Sequence, residues 1–386
     1  MRAWLGPIAV LTLAPAIIFS IDRLSTPAAT NTQLSVNDLL GQQLDRSFAD
    51  VDGKHRFRFP EDHGPHPRFR NEWWYFTGNL ESAQGPLGYE LTLFRQALVS
   101  PLERLSHYSQ WASRNGFMGH FALSDLGGKK FYHSERLSRE SLGLAGAEIS
   151  PQGKLQVWLE DWRVDGQGDE FQLQARQDEQ AIQLQLRSLK PVVLQGHQGV
   201  SRKGDRPEQA SYYYSLTRLE TRGQVKIAGQ PREVTGLSWM DREWSSRAMD
   251  DGLSGWDWLS LQLDGGEEIM VYRLRDKQGA ATRWSAASWI DARGAKTWLG
   301  SDQFAMRALS FWSSPRDGTQ YPASWELSIP SRQCSLRITS RLGDQELVGE
   351  VARYWEGAVS LEGIIGKRSQ KGSGYMELVG YSASRR

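Results

Sequence analysis

The sequence predicts an all-β fold of two tandem antiparallel units, each a closed or nearly closed barrel or a curled sandwich. Three observations carry this prediction. Short aromatic or β-branched segments alternate with Gly, Asp and Asn turns, helical periodicity is scarce, and the second half repeats phrases of the first in the same order.

Arg2 precedes a nearly uninterrupted apolar run, 3–21, and Thr26-Pro27-Ala28-Ala29 then supplies small residues suited to cleavage. Residues 1–29 therefore read as a signal peptide or an uncleaved N-terminal anchor, and the chain is expected to be exported to the periplasm or cell envelope. An irregular arm, 30–59, leads towards Pro67, with helical period only near 36–44. Segments 74–80, 89–94, 117–123, 155–159 and 171–175 then show the partial period of two that marks strands, and a polar stretch at 102–112 is the second helical exception. On the strand at 74–80, Trp74, Phe76 and Leu80 share one face, while Trp73, Tyr75, Thr77 and Asn79 share the other.

The repeat is read from aligned phrases. Trp73-Trp74-Tyr75-Phe76-Thr77-Gly78-Asn79-Leu80 parallels Trp256-Asp257-Trp258-Leu259-Ser260-Leu261-Gln262-Leu263, and each leads through a turn to a strand ending in Phe94-Arg95 or Tyr272-Arg273. Tyr212-Tyr213-Tyr214 similarly parallels Tyr354-Trp355-Glu356. These matches set the expected domains at 60–233 and 234–386. Barrel closure would pair the sheet edges, and a barrel of about eight strands has room for one small ligand.

The 386 residues include 46 basic and 45 acidic side chains, a net charge of +1, so no strong field gathers nucleic acid or anionic membrane. Membrane contact is expected only through an uncleaved N-terminal segment. The lone Cys334 excludes an internal disulfide and a multi-cysteine metal site.

Two polar clusters among aromatic residues carry the candidate chemistry: Arg70-Asn71-Glu72-Trp73-Trp74-Tyr75 and Trp239-Met240-Asp241-Arg242-Glu243-Trp244. A charge set among rings must find a partner or stay wet. Asp241 and Glu243, two residues apart on an extended segment, face the same way and raise each other's proton affinity, which makes them the candidate catalytic acids. Arg242 then faces the opposite side, unless a bend lets it neutralise both. In the first cluster Glu72 either pairs with Arg70 across a strand face or presents its carboxylate to a ligand. Arg95 and Arg273 sit at corresponding strand ends, where at least one of them reads as a counter-ion, and Arg95 also stands as a candidate ligand contact. Trp74, Trp239 and Trp244 are candidate ligand walls, as are Trp256 and Trp258, which share a face while Asp257 points away. Tyr214, Tyr272, Tyr354 and Glu356 extend such walls with hydroxyls and an acid. His55, His63 and His66 lie in a Pro-rich approach and would need a further ligand such as Glu72 to hold zinc, so no metal or cofactor is expected. A nucleophile elbow, a P-loop and a dinucleotide fingerprint are all missing from the sequence.

The phrase from His66-Pro67-Arg68-Phe69-Arg70-Asn71-Glu72 through Leu80, the phrase Trp239 to Trp244, Gly255-Trp256-Asp257-Trp258, Tyr354-Trp355-Glu356-Gly357 and Gly374-Tyr375-Met376-Glu377-Leu378-Val379-Gly380-Tyr381 together resemble the AttH-like family of bacterial exported proteins. That family is related to carotenoid 1,2-hydratases, and its members are often labelled secreted hydrolases. The resemblance implies two consecutive lipocalin-like β-domains with apolar ligands. In the hydratase relatives the corresponding segment looks like an Asp-His pair. Asp241 therefore carries over as a candidate acid, whereas Arg242 stands where the histidine would be, which speaks against carotenoid hydration.

The resulting expectation is an exported protein that binds a lipid, isoprenoid or other apolar small molecule, in envelope trafficking with an envelope transport partner. One alternative is a cofactor-independent hydratase, hydrolase or cyclase acting through Asp241 or Glu243. Another is a structural or protein-interaction module.

Overall fold

The computed structural model describes residues 47–102, 113–247, 249 and 252–381. The signal or anchor segment, the helical period at 36–44 and nearly all of the polar stretch at 102–112 lie outside these residues. The described residues form one 13-stranded and one 10-stranded antiparallel sheet, and their helical content is confined to single 3-10 turns.

In chain order the first sheet contains β1 (Asn71–Glu81), β2 (Leu87–Ala97), β3 (Asn115–Asp125), β4 (Lys130–Arg139), β5 (Ala145–Ile149), β6 (Lys154–Leu159) and β7 (Trp162–Gln167). It continues with β8 (Glu170–Gln177), β9 (Gln180–Ser188), the short β10 (Val193–Leu194) and β11 (Val200–Arg202), and the long β12 (Ala210–Ile227) and β13 (Gln230–Ser245). The spatial order β4-β3-β2-β1-β13-β12-β9-β8-β7-β6-β5 curls until β5 and β6 meet β3 and β4, giving a nearly closed barrel. Such curling covers edges that would otherwise invite pairing with another chain.

The second sheet contains β14 (Leu253–Leu263), β15 (Glu268–Asp276), β16 (Ala286–Ile290), β17 (Lys296–Gly300), β18 (Ala305–Ser313) and β19 (Gln320–Ile329). It ends with β20 (Cys334–Ser340), β21 (Glu346–Val348), β22 (Arg353–Ile365) and β23 (Arg368–Val379). Its order, β17-β16-β15-β14-β23-β22-β20-β19-β18, leaves a half-barrel. The two lipocalin-like units share a four-strand centre, since β2-β1-β13-β12 recurs as β15-β14-β23-β22. The chain passes from one sheet to the other between Ser245 and Leu253, and β13, which the sequence reading divides at 233/234, belongs to the first sheet along its whole length.

The alternation in β1 explains how the sheets meet. Its β-favouring aromatic residues suit a strand buried on both faces. Trp74, Phe76 and Leu80 enter the barrel core beside Tyr89, Trp162, Tyr214 and Trp244, which fill it with large side chains. The opposite face turns to the second sheet: the Tyr75 hydroxyl donates to Glu356 at 2.7 Å and Asn79 Nδ2 donates to the Gly374 carbonyl at 3.0 Å. Tyr75, Tyr213, Trp239, Trp258, Met270 and Tyr272 belong to a separate apolar cluster in this seam.

Gly78 allows the core to close. A Cβ there would lie 2.4 Å from Tyr89 Cε1 and 2.6 Å from Ser238 Oγ, because the Tyr89 ring crosses the glycine to reach the Ser238 hydroxyl at 2.7 Å. Gly78→Ala is expected to cost about 1–3 kcal/mol through overpacking, read as a lower urea midpoint. An unchanged midpoint would mean that the ring yields freely.

Candidate functional site

On β13, backbone alternation sends Arg242 into the barrel and keeps Asp241 and Glu243 on the outer face, so no bend brings the guanidinium to the two acids. Inside, Arg242 and Arg95 both bind the Glu72 carboxylate, whose side chain has no exposed surface. The Arg242 guanidinium lies 3.9 Å over the Trp74 ring and donates to the Gly64 carbonyl at 2.6 Å. Burial alone would raise the pKa of Glu72, but the guanidinium groups of Arg95 and Arg242 override it and hold the carboxyl well below the usual range. The expected pairing of Glu72 with Arg70 is thus replaced. Arg95 is its direct cross-strand neighbour, and Arg242 arrives from β13, which pairs with the other edge of β1.

The outer acids face a narrow, partly open recess in the seam with a cavity volume of about 90 Å³. Trp73, Tyr75 and Phe94 form its first-sheet wall, and Trp256, Trp258, Tyr272 and Leu274 its second-sheet wall. Asp241, Glu243, Tyr213, Lys203, Met249 and Glu377 complete the lining. Asp241 is 4 % exposed and accepts bonds from Tyr213 Oη at 2.6 Å, Ser215 Oγ at 2.5 Å and Trp239 Nε1 at 2.7 Å. Burial pushes its carboxyl up to about 7, because the three donors offset only part of the lost hydration and the Glu243 charge adds to the rise.

Glu377 approaches from β23. Trp256 Nε1 donates to it at 2.7 Å, yet burial, aided by the charges of Glu90, Asp241 and Glu243, pushes it up to about 8. Behind it stands Glu356, its register partner on β22, which burial and then Glu377 push well above the ordinary carboxylate range. Glu243 is held differently: Ser211 donates to it, and Lys203 Nζ lies 3.1 Å away. Burial works against the Lys203 charge, but Glu243 and the Tyr272 hydroxyl keep its pKa above the usual value, and its ammonium sits 4.7 Å over the Tyr272 ring. The recess therefore offers one ion pair and two carboxyls that keep protons near neutrality.

With this geometry in place, the family is decided by the match of the AttH-like profile to residues 50–381. The chain belongs to the AttH-like family. A crystal structure of an AttH protein from Nitrosomonas europaea is 34 % identical to this AttH-like chain with a TM-score of 0.76, covering 87 % of this chain and 100 % of that one. Kievitone hydratase from Nectria haematococca shares the fold at 16 % identity and a TM-score of 0.63, over 87 % of this chain and 96 % of the hydratase. CghA, solved with Sch210972, does so at 13 % identity and a TM-score of 0.51, over 87 % and 97 %. No curated protein sequence shows a significant match.

The structure brings together only part of the set of residues foreseen for the AttH-like site. Asp241, Glu243, Trp256, Trp258 and Tyr272 share the recess. Trp239 supports Asp241 from behind, and Glu356 sits one strand away beneath Tyr75. Tyr354 lies farther along the seam, with its hydroxyl 2.6 Å from His120 Nδ1. Glu72, Trp74, Arg95, Tyr214 and Trp244 instead belong to the barrel interior and its closing network. Arg273 is the counter-ion of Asp257, at 2.7 Å. Sequence reasoning missed Glu377, Lys203 and Tyr213 as recess residues. The available signal for Glu377 was its alternation with Tyr375 on a strand otherwise read only as a family phrase.

Proposed function

We propose that this AttH-like protein is an enzyme that takes an unsaturated apolar small molecule into the seam recess and protonates it, with Asp241 and Glu377 as acids. The observation that carries the reading is the pair of carboxyls held up to about 7 and about 8 within aromatic walls. A catalytic acid works best when its pKa lies near the operating pH.

In the reaction, one carboxyl gives its proton to a carbon of the double bond. The resulting cation is met by the faces of Trp258 and Tyr272 and by the carboxylate left behind. Water then bonds to the cationic carbon and returns a proton to the carboxylate, so that one water is added across the bond and the acid is restored. If an internal nucleophile replaces water, the same proton cycle closes a ring. A hydratase on the same fold agrees with this reading as analogy alone. The apolar run at 3–21 supports export, which would place the reaction in the periplasm or cell envelope.

Binding without turnover is a second reading. It is favoured by the three protein donors that already occupy Asp241, an arrangement suited to orienting a polar head group.

Incubation with isoprenoid alkenes and aryl enones in heavy water separates the two. Wild-type protein is expected to place deuterium on carbon. Asp241→Asn and Glu377→Gln should slow this by about 10²–10⁴-fold while ligand affinity stays nearly constant. A bound alkene that gains no deuterium would sink the enzyme reading and leave the binding one.

A further inference from the structure

Outside the recess, three ligating atoms converge where the arm folds over the end of the barrel. His55 Nε2 lies 3.0 Å from one oxygen of Asp62, and His66 Nε2 lies 3.1 Å from the other. All three groups bring a ligand atom within 4.8 Å of one another. Donors bound to one tetrahedral zinc at about 2.0–2.2 Å stand roughly 3.4 Å apart, so the spacing already suits a shared cation.

The side chains are held before any ion arrives. The His66 ring stacks on Trp244 at 3.7 Å and 6° between planes, and the His55 ring packs against Tyr212 and Phe57 at 5.0 Å. Asp62 is fixed by the Arg58 N–H at 2.6 Å. His55 keeps 28 % of its side chain exposed, and a shallow concavity bordered by Lys54, Arg58 and Glu61 leads to the cluster, so a fourth position can be taken by water.

The hydrogen bonds behind His66 decide what its front face can do. His66 Nδ1 lies 3.3 Å from Glu72 Oε2 and 3.2 Å from Arg242 Nη2. That guanidinium nitrogen has two hydrogens. Its closer acceptors are Glu72 Oε2 and the Gly64 carbonyl, which use both. His66 Nδ1 therefore carries its own hydrogen and donates it to Glu72, the carboxylate-histidine arrangement typical of metal-bound imidazoles. Its Nε2 then faces an Asp62 oxygen 3.1 Å away, and either a proton or a metal ion can stand between the two.

We propose that His55 Nε2, the Asp62 carboxylate and His66 Nε2 bind one divalent transition-metal ion of the zinc class, clipping the arm to the barrel end. Two imidazoles and a carboxylate form a donor set that such ions favour, and Glu72 orients His66 from behind. The set differs from the sequence grouping in two respects. His63 turns inward, with Nδ1 2.6 Å from Tyr214 Oη, and Glu72 acts through His66 rather than as a ligand. The rival arrangement puts a proton on each Nε2 in place of the metal.

The test uses untagged full-length protein freed of metal with a chelator. Titration with CoCl₂ is expected to give visible absorption that saturates at one ion per chain and is displaced by ZnCl₂, with zinc raising the melting temperature. His55→Ala, which removes a partly exposed ligand, and Asp62→Asn should each weaken binding at least about tenfold. His197→Ala, at an exposed site outside the cluster, should bind as wild type does, and far-ultraviolet circular dichroism checks that each variant is folded. Absence of saturable cobalt or zinc binding, or equal binding by a folded His55→Ala protein, overturns the proposal in favour of the protonated network.

Discussion

Glu72→Gln is expected to lower the unfolding free energy by about 3–5 kcal/mol in urea titrations at neutral pH, because it leaves two buried guanidinium groups without their counter-charge. Arg95 and Arg242 converge on a carboxylate with no exposed surface, and neither can swing to water without opening the barrel end. The surface pair Arg187–Glu220 provides the contrast. Both of its side chains are more than half exposed, so Glu220→Gln should leave the midpoint in place. Equal midpoints for Glu72→Gln and wild type would show that the network does not hold the barrel end together. Glu72 also has an acid-side signature. Its pKa is depressed in the folded protein, so its stabilisation is present above the unfolded value near 4.5 and is lost as pH falls towards the folded value.

Stability should fall on the alkaline side for the opposite reason. Asp241, Glu377 and Glu356 have raised folded-state pKa values, so the folded chain holds their protons more tightly than the unfolded chain does. Their seam costs least below the unfolded values near 4, and the penalty grows as pH rises through about 7 for Asp241 and about 8 for Glu377. At about 1.4 kcal/mol per unit, Asp241 alone has an upper bound of roughly 4 kcal/mol. Glu377→Gln removes one of these late ionisations. The variant should gain about 1–3 kcal/mol over wild type at alkaline pH, after allowance for solvent screening at a half-buried carboxyl, and little at pH about 5. Urea midpoints across this pH range test the sign. A wild-type profile flat to pH about 9, with no gain in Glu377→Gln, would mean that the seam carboxyls ionise without penalty.

What the sequence made legible was local. Alternation along 73–80 separated the core face of β1 from its seam face, and the same rule placed Asp241 and Glu243 together with Arg242 behind them. The repeated phrases anticipated two sheets with a common centre. Contacts that depend on register or docking could not be read in this way. Glu72 meets Arg95 because hairpin β1-β2 sets them opposite each other, whereas proximity along the chain suggested Arg70. Trp74, Tyr214 and Trp244 looked like ligand walls because aromatic composition is the same in a packed core and in a pocket lining. Glu377 stayed hidden because its meeting with Asp241 depends on how one sheet lies on the other.

The acids flanking the recess come from different halves of the repeat, Asp241 from β13 and Glu377 from β23. Each half thus brings one bank of a channel, and neither bank is a site by itself. Because its two walls belong to different sheets, the recess exists only while the sheets stay docked, and whatever loosens the seam dismantles it before either core unfolds.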